Sequence, residues 1–221
     1  MCSKFNIVLV TISLRCLLVL ASDPDPLQDF CIPNPKLGAI RTTSLTILPC
    51  KNSSDATTED FVFSGMKTAG NFSETGLAAV PANPTNFPGL NTLGMSFVRA
   101  DLKVGAINPP HFHPRATEIT YIMQGSVYSG FVDSSNRVFA KALEQGEAMV
   151  FPRGLVHFQM NVGDKIAIVF GCFNSQNPGN QKIPSAIFGS GIDDKLLEKA
   201  FGLSSKQIGT MRRRFVRKTV R

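Results

Sequence analysis

Between about Leu90 and Phe173 the chain alternates short apolar and β-branched runs with turn signals. The runs fall at 92–102, 118–123, 127–132, 137–143, 148–151, 156–161 and 165–173. Gly125-Ser126, the polar stretch 133–136, Gln145-Gly146, the Pro-Arg-Gly at 152–154 and Gly163-Asp164 separate them. Short strands at regular spacing between such punctuation predict a β-sandwich or barrel. No internal repeat is visible, so one barrel is expected. The period changes near the C-terminus. Leu196, Leu197, Ala200 and Phe201 recur at helical spacing, and Gly202 stops the run. Ser204 or Ser205 can cap a second helix that carries Ile208, Met211 and Phe215 on one face. The resulting fold class is all-β, a single barrel at about 61–191 with short C-terminal helices and a basic tail at 192–221.

Composition agrees with one domain. Of 221 residues, 43% are hydrophobic, enough for a sizeable core. Seventeen Phe and no Trp make Phe the main aromatic filler. Residues 1–21 read as a secretory signal: Lys4 opens it, a mainly apolar run follows, and the small Val19 and Ala21 frame a cleavage point. Arg15 leaves too short an uninterrupted apolar stretch to span a bilayer, so no membrane association is expected after cleavage. The formal net charge of +7 is local. The segment RRRFVRKTVR at 212–221 holds six of the basic residues and no acid. A basic tail suits nucleic acid, but an exported chain rarely meets it. An acidic extracellular polysaccharide, such as that of a cell wall, is one candidate electrostatic partner, and a solvated helix end is an equal reading. Asn52 and Asn71 head glycosylation sequons, whereas Pro84 excludes Asn83.

The candidate chemistry lies in NPPHFHPRATEITYIMQG, 108–125. His111 and His113 are spaced i and i+2, so on a strand both point to one side. Glu118 reaches the same point only if the chain bends between Pro114 and Thr117. The one remaining histidine, His157, must come from a neighbouring strand. Three imidazoles and a carboxylate suit a borderline first-row metal and leave positions for water or substrate. A His-x-His pair alone is a weak signal. Here all three histidines fall in two segments of the same make-up, each with a glycine, a proline corner and a His-bearing strand.

Those segments carry a resemblance. Gly105-x5-His111-x-His113-x4-Glu118-x6-Gly125 and Gly146-x5-Pro152-x-Gly154-x2-His157-x3-Asn161 match the two cupin motifs as germins carry them. The chain therefore resembles a plant germin-like protein, from about residue 23 to the C-terminal helices. The resemblance implies a jelly-roll barrel and a manganese ion held by His111, His113, Glu118 and His157. Ligand type alone leaves zinc, iron, nickel or copper open. It further implies a Cys31–Cys50 disulfide closing the N-terminal extension at 22–60, a glycan in the region of Asn71, and secretion to the apoplast. A homo-oligomer is implied too, a hexamer built as a trimer of dimers, clamped by the C-terminal helices. Cys172, inside an apolar run, is expected to be a buried free thiol. Pro109 and Pro110 restrict the approach to His111, and Gly154 permits the turn before His157.

Activity divides within the family. Some germins oxidise oxalate, others dismutate superoxide, and others are binding or structural wall proteins. Oxalate-oxidising germins carry an asparagine three residues before the first histidine, matched by Asn108. They carry another on the preceding strand, and Val98 stands there. A valine cannot hydrogen-bond a carboxylate, so oxalate oxidation is not expected. Two readings follow: a manganese oxidoreductase resembling superoxide dismutase, with a role in defence or the wall, or a non-catalytic extracellular metal- or ligand-binding protein.

Overall fold

The computed structural model describes residues 28–34, 40–41, 46–47 and 49–215. The expected signal segment 1–21 and the last tail residues, 216–221, lie outside them. Two antiparallel five-stranded sheets face each other. One runs in the order β12, β5, β10, β7, β8, made of Gln181–Lys182, Ile107–Phe112, His157–Asn161, Ser126–Val132 and Val138–Glu144. The other runs β3, β4, β11, β6, β9, made of Leu77–Ala82, Ser96–Leu102, Ala167–Phe173, Glu118–Gln124 and Ala148–Phe151. A small ladder, β1 (Ile40–Arg41) with β2 (Thr46–Ile47), precedes them. This is the expected all-β jelly-roll architecture.

Alternation explains the strands. On β11, Ala167, Val169, Gly171 and Phe173 are buried and the residues between them are not. β6 buries Glu118, Thr120 and Ile122 in the same way. The inward side chains form tiers. Leu77, Leu102, Ile122, Val127, Leu143 and Val169 pack one end into a hydrophobic core. A polar tier of Thr120, Ser129 and Gln159 lies buried above it. The histidines and Glu118 lie beyond that tier, beside Phe151 and Phe173.

Three features depart from the sequence reading. β3 was not expected, because LAAVPA lacks alternation and carries a proline; it is an edge strand, where proline is tolerated. A first helix, α1 (Ile183–Phe188), precedes the two expected ones. Cys172 is free, as expected, but exposed rather than buried. Strand parity decides this, since its neighbours Gly171 and Phe173 point inward.

The helices α2 (Asp194–Phe201) and α3 (Ser205–Phe215) form where the period predicted them. Asp193 caps α2 by accepting from the Leu196 N–H, and Gly202 ends it in the left-handed region at φ 65°. Phe188, Leu197 and Ile208 pack together, flanked by Met211 and Phe215. The three helices thus bury part of their apolar faces on one another. Leu196 and Phe201 stay exposed, at 56% and 48%.

Cys31 and Cys50 are disulfide-bonded across 19 residues. Backbone hydrogen bonds flank the link, from Asn34 N–H to the Pro49 carbonyl at 2.7 Å and from Lys51 N–H to the Ile32 carbonyl at 2.8 Å. Asn91 ties it to the barrel by donating to the Cys31 carbonyl at 2.9 Å. Among the described residues no helix is long and apolar enough to cross a membrane.

Candidate metal centre

The local sequence builds the site from both sheets. β5 and β10 pair antiparallel with His157 opposite His111 and Gln159 opposite Asn108. Two residues separate Asn108 from His111, but only Phe158 separates His157 from Gln159. The ladder therefore bulges at Pro109-Pro110, two residues that have no N–H to give it. The bulge lets Asn108 and His111 face the same interior. The chain then turns at Pro114-Arg115 and enters the opposite sheet at Glu118, the bend the sequence required. Gly154 takes φ 76° in the turn before His157. Asn161, the last letter of the second motif, is a clasp. Its amide donates to the Leu102, Lys103 and Lys165 carbonyls at 2.9, 3.1 and 2.7 Å, joining two loops.

The four residues converge. His111, His113, Glu118 and His157 are 2%, 4%, 5% and 2% exposed. One ligand atom from each lies within 4.8 Å of the others. Each ring is held from behind. His111 Nδ1 donates to the Pro109 carbonyl at 2.8 Å, and His157 Nδ1 to the Leu155 carbonyl at 2.9 Å. His113 Nδ1 donates to the Gly179 carbonyl. These partners accept only, so the Nδ1 atoms carry the protons and Nε2 faces the interior. Phe151 stacks on His157 at 4.4 Å and Phe173 meets His113 edge-on at 4.7 Å, which fixes the ring planes.

Glu118 Oε2 stands 3.1 Å from His113 Nε2 and 3.2 Å from His157 Nε2. Neither nitrogen has a hydrogen-bond partner. With both Nδ1 atoms protonated, nitrogen lone pairs meet a carboxylate oxygen in a buried place, which is costly unless positive charge lies between them. A metal cation supplies it, so the residues fit a metal ion. Burial first, and the neighbouring His157 second, push His111 down to about 3, so this ring is a neutral ligand across the physiological range. Burial alone would raise the Glu118 carboxyl. Positive charge between Glu118 and the facing Nε2 atoms of His113 and His157 outweighs burial and holds the carboxyl below the ordinary carboxylate range.

Two neighbours of the cluster were not foreseen. Gln159 accepts from the Asn108 amide at 3.0 Å and donates to Thr120 at 3.0 Å, a polar chain under the cluster. Its position two residues after His157 on a strand was the available signal. Gly171 pairs with Val98, and a Cβ there would stand 2.5 Å from Glu118 Oε1 and 3.0 Å from Val98 Cγ1. A glycine inside an apolar strand marks such a close approach. Val98 itself faces the cavity that holds the cluster, about 1270 Å³ in volume, with Asn108 on the other wall.

Comparison with known proteins gives this geometry a family. A family model described as Cupin matches residues 58–209. Germin-like protein subfamily 3 member 2 of Arabidopsis thaliana is 69% identical over 89% of this chain and 87% of its own. The chain belongs to the germin-like proteins of the cupin family. Germin-like protein 2-4 of Oryza sativa subsp. japonica is 53% identical over 91% of this chain and 93% of its own. Among solved structures, an oxalate oxidase superposes with a TM-score of 0.81 at 38% identity, over 88% of this chain and 98% of that one. All four ligand candidates of this germin-like chain meet at one point, as the motif spacing implied.

Proposed function

We propose that this is a secreted, manganese-binding, oligomeric germin-like protein that removes superoxide and does not oxidise oxalate. The carrying observation is the buried convergence of three Nε2 atoms and Glu118 Oε2, with every Nδ1 already donated to a main-chain carbonyl. His111, His113, Glu118 and His157 would hold the ion. Bound manganese would supply the one-electron exchange that turns two superoxide ions and two protons into dioxygen and hydrogen peroxide. The chain's own part is to fix the ligands, to hold the His157 and His113 rings against Phe151 and Phe173, and to keep His111 neutral.

The similarity to oxalate oxidase brings oxalate forward as a substrate. Val98 argues against it, since it puts a methyl surface on the cavity wall where those germins carry an amide. Support for export comes from the Cys31–Cys50 disulfide. Asn52 and Asn71 are both exposed and so accessible to a glycan. The reading includes a hexamer in the apoplast and attachment to acidic wall polysaccharide.

Purified protein is to be analysed for metal by mass spectrometry, then assayed with superoxide and with oxalate. We expect about one manganese per subunit, superoxide-dependent peroxide, and little or no peroxide from oxalate. Strong peroxide release from oxalate would reverse the argument from Val98. A metal-replete protein inert towards superoxide would favour the non-catalytic binding reading.

A further inference from the structure

The three rings of the cluster are held from behind in two different ways. His111 and His157 each donate to a carbonyl two residues back on their own segment, those of Pro109 and Leu155. His113 reaches across the fold instead, to the Gly179 carbonyl 66 residues on. Its direction therefore depends on a loop, 174–180, that leads from β11 to β12. The ends of that loop are tied to the sandwich. Ser96 Oγ donates to the Ser175 carbonyl at 2.7 Å, and the Thr117 N–H donates to Asn174 Oδ1 at 2.8 Å. At the far end Gln181 and Lys182 pair with Phe112 and His111 of β5.

Arg115 grips the middle of the loop. It lies in the turn between His113 and Glu118. Its Nε donates to the Asn177 carbonyl at 2.7 Å and its Nη2 to Asn177 Oδ1 at 2.8 Å. Its own N–H donates to the Pro178 carbonyl at 3.1 Å. Gly179 lets the loop lie this close. It takes φ 70°, and a Cβ there would stand 3.0 Å from both Arg115 Nη2 and Pro114 Cγ.

We propose that Arg115 is a positioning residue: it holds the Gly179 carbonyl in place and so aims the His113 Nε2 at the cluster. The consequence for a bound metal, firmer retention, rests on the metal-centre reading above. A guanidinium makes two parallel bonds to one residue, which a lysine cannot copy, so the role is one of geometry rather than charge. Groups behind a metal ligand act on the metal through the ligand's orientation. Arg115 is exposed, so its replacement opens no hole in the core.

Histidine labelled with heavy nitrogen in the ring reads this by NMR in the intact, metal-free protein, because the chain has only three histidines. His113→Ala assigns the signal. In Arg115→Ala the His113 Nδ1–H should exchange faster with water, while His111 and His157, whose acceptors are local, keep their rates. Manganese should leave the loaded variant for a chelator about 10-fold faster than it leaves the parent. Arg115→Lys keeps the charge and should behave like Arg115→Ala in both measurements. Asn177→Ala removes one arm of the fork and should shift His113 the same way, by less. An equal change at all three rings would mean general loosening and overturns the proposal. So does an unmoved His113, parent-like behaviour of Arg115→Lys, or manganese release that stays unchanged although His113 has moved. If the parent holds no manganese, the metal reading falls, and a change confined to His113 in the metal-free variants upholds the role of Arg115.

Discussion

Each histidine of the cluster spends its Nδ1 proton on a main-chain carbonyl, so its one remaining nitrogen has no role but to meet a cation. No second imidazole can take the place of a lost one, because each of the other two rings already aims its own Nε2 at the cluster. His113→Ala should therefore lower metal affinity by at least the ~10- to 100-fold seen for changes to groups that merely support ligands. Metal per subunit after dialysis measures this, and unchanged content would mean the site is misassigned. Protonation works against the same residues. His111 falls from an ordinary 6.5 to about 3 in the fold. Between these two values the unfolded chain binds more protons at this residue, so stability rises with pH. The metal-free protein should keep this contribution above about pH 6.5. It should lose on the order of a few kcal/mol as pH falls towards 3. Melting temperatures at about pH 7 and pH 4 test the sign, and an unchanged melting point would refute it.

Single elements do more than carry residues. β5 is held to β10 through a bulge at two prolines, and that irregularity brings Asn108 and His111 to the same wall. The N-terminal extension depends on its covalent link. Beyond the disulfide, the described contacts there include backbone hydrogen bonds, the Asn91 amide, the Lys51–Asp60 ion pair at 2.8 Å and Phe30 against Phe61 at 5.1 Å. Opening a loop of this length should cost about 3 kcal/mol in the chain-entropy model. Cys50→Ser should show that loss in denaturant unfolding, with the metal content of the folded protein kept. A change below about 0.5 kcal/mol would mean the unfolded chain gains little freedom. The outward face of β6 adds an element-scale surprise, since Ile119, Tyr121 and Met123 all stand exposed on it.

At the scale of the whole molecule, the C-terminal helices are partly self-sufficient. Phe188, Leu197 and Ile208 satisfy one another, so burial within the chain accounts for much of the apolar periodicity. Leu196 and Phe201 remain to be covered. The basic run is partly committed as well. Arg212 pairs with Asp194 and donates to the Ile192 carbonyl, which fastens α3 to the start of α2. We expect the mature protein to run as a hexamer in light scattering, and truncation after Gly189 to lower the assembly state. A monomeric intact protein would remove the oligomer from the reading. An unchanged hexamer after truncation would move the interface to the sheets.

The sequence by itself determined the β-rich class, most strands, both long C-terminal helices and, through the match to two family motifs, the four ligand candidates. The strands and helices rest on short-range physics. Period 2 sets which residues share a face, period 3.6 sets a helix stripe, and glycines mark left-handed turns such as Gly154. Only the tertiary structure decided what depends on which strand lies beside which. Cys172 is exposed because Gly171 and Phe173 took the inward parity of β11. Gly171 matters because Glu118 arrives against it from a neighbouring strand. Asn108 meets Gln159 through a bulge that no local pattern announces. Leu77, Ala79 and Pro81 line the cavity of the cluster because LAAVPA, read alone as no strand at all, pairs as an edge and turns its small residues inward.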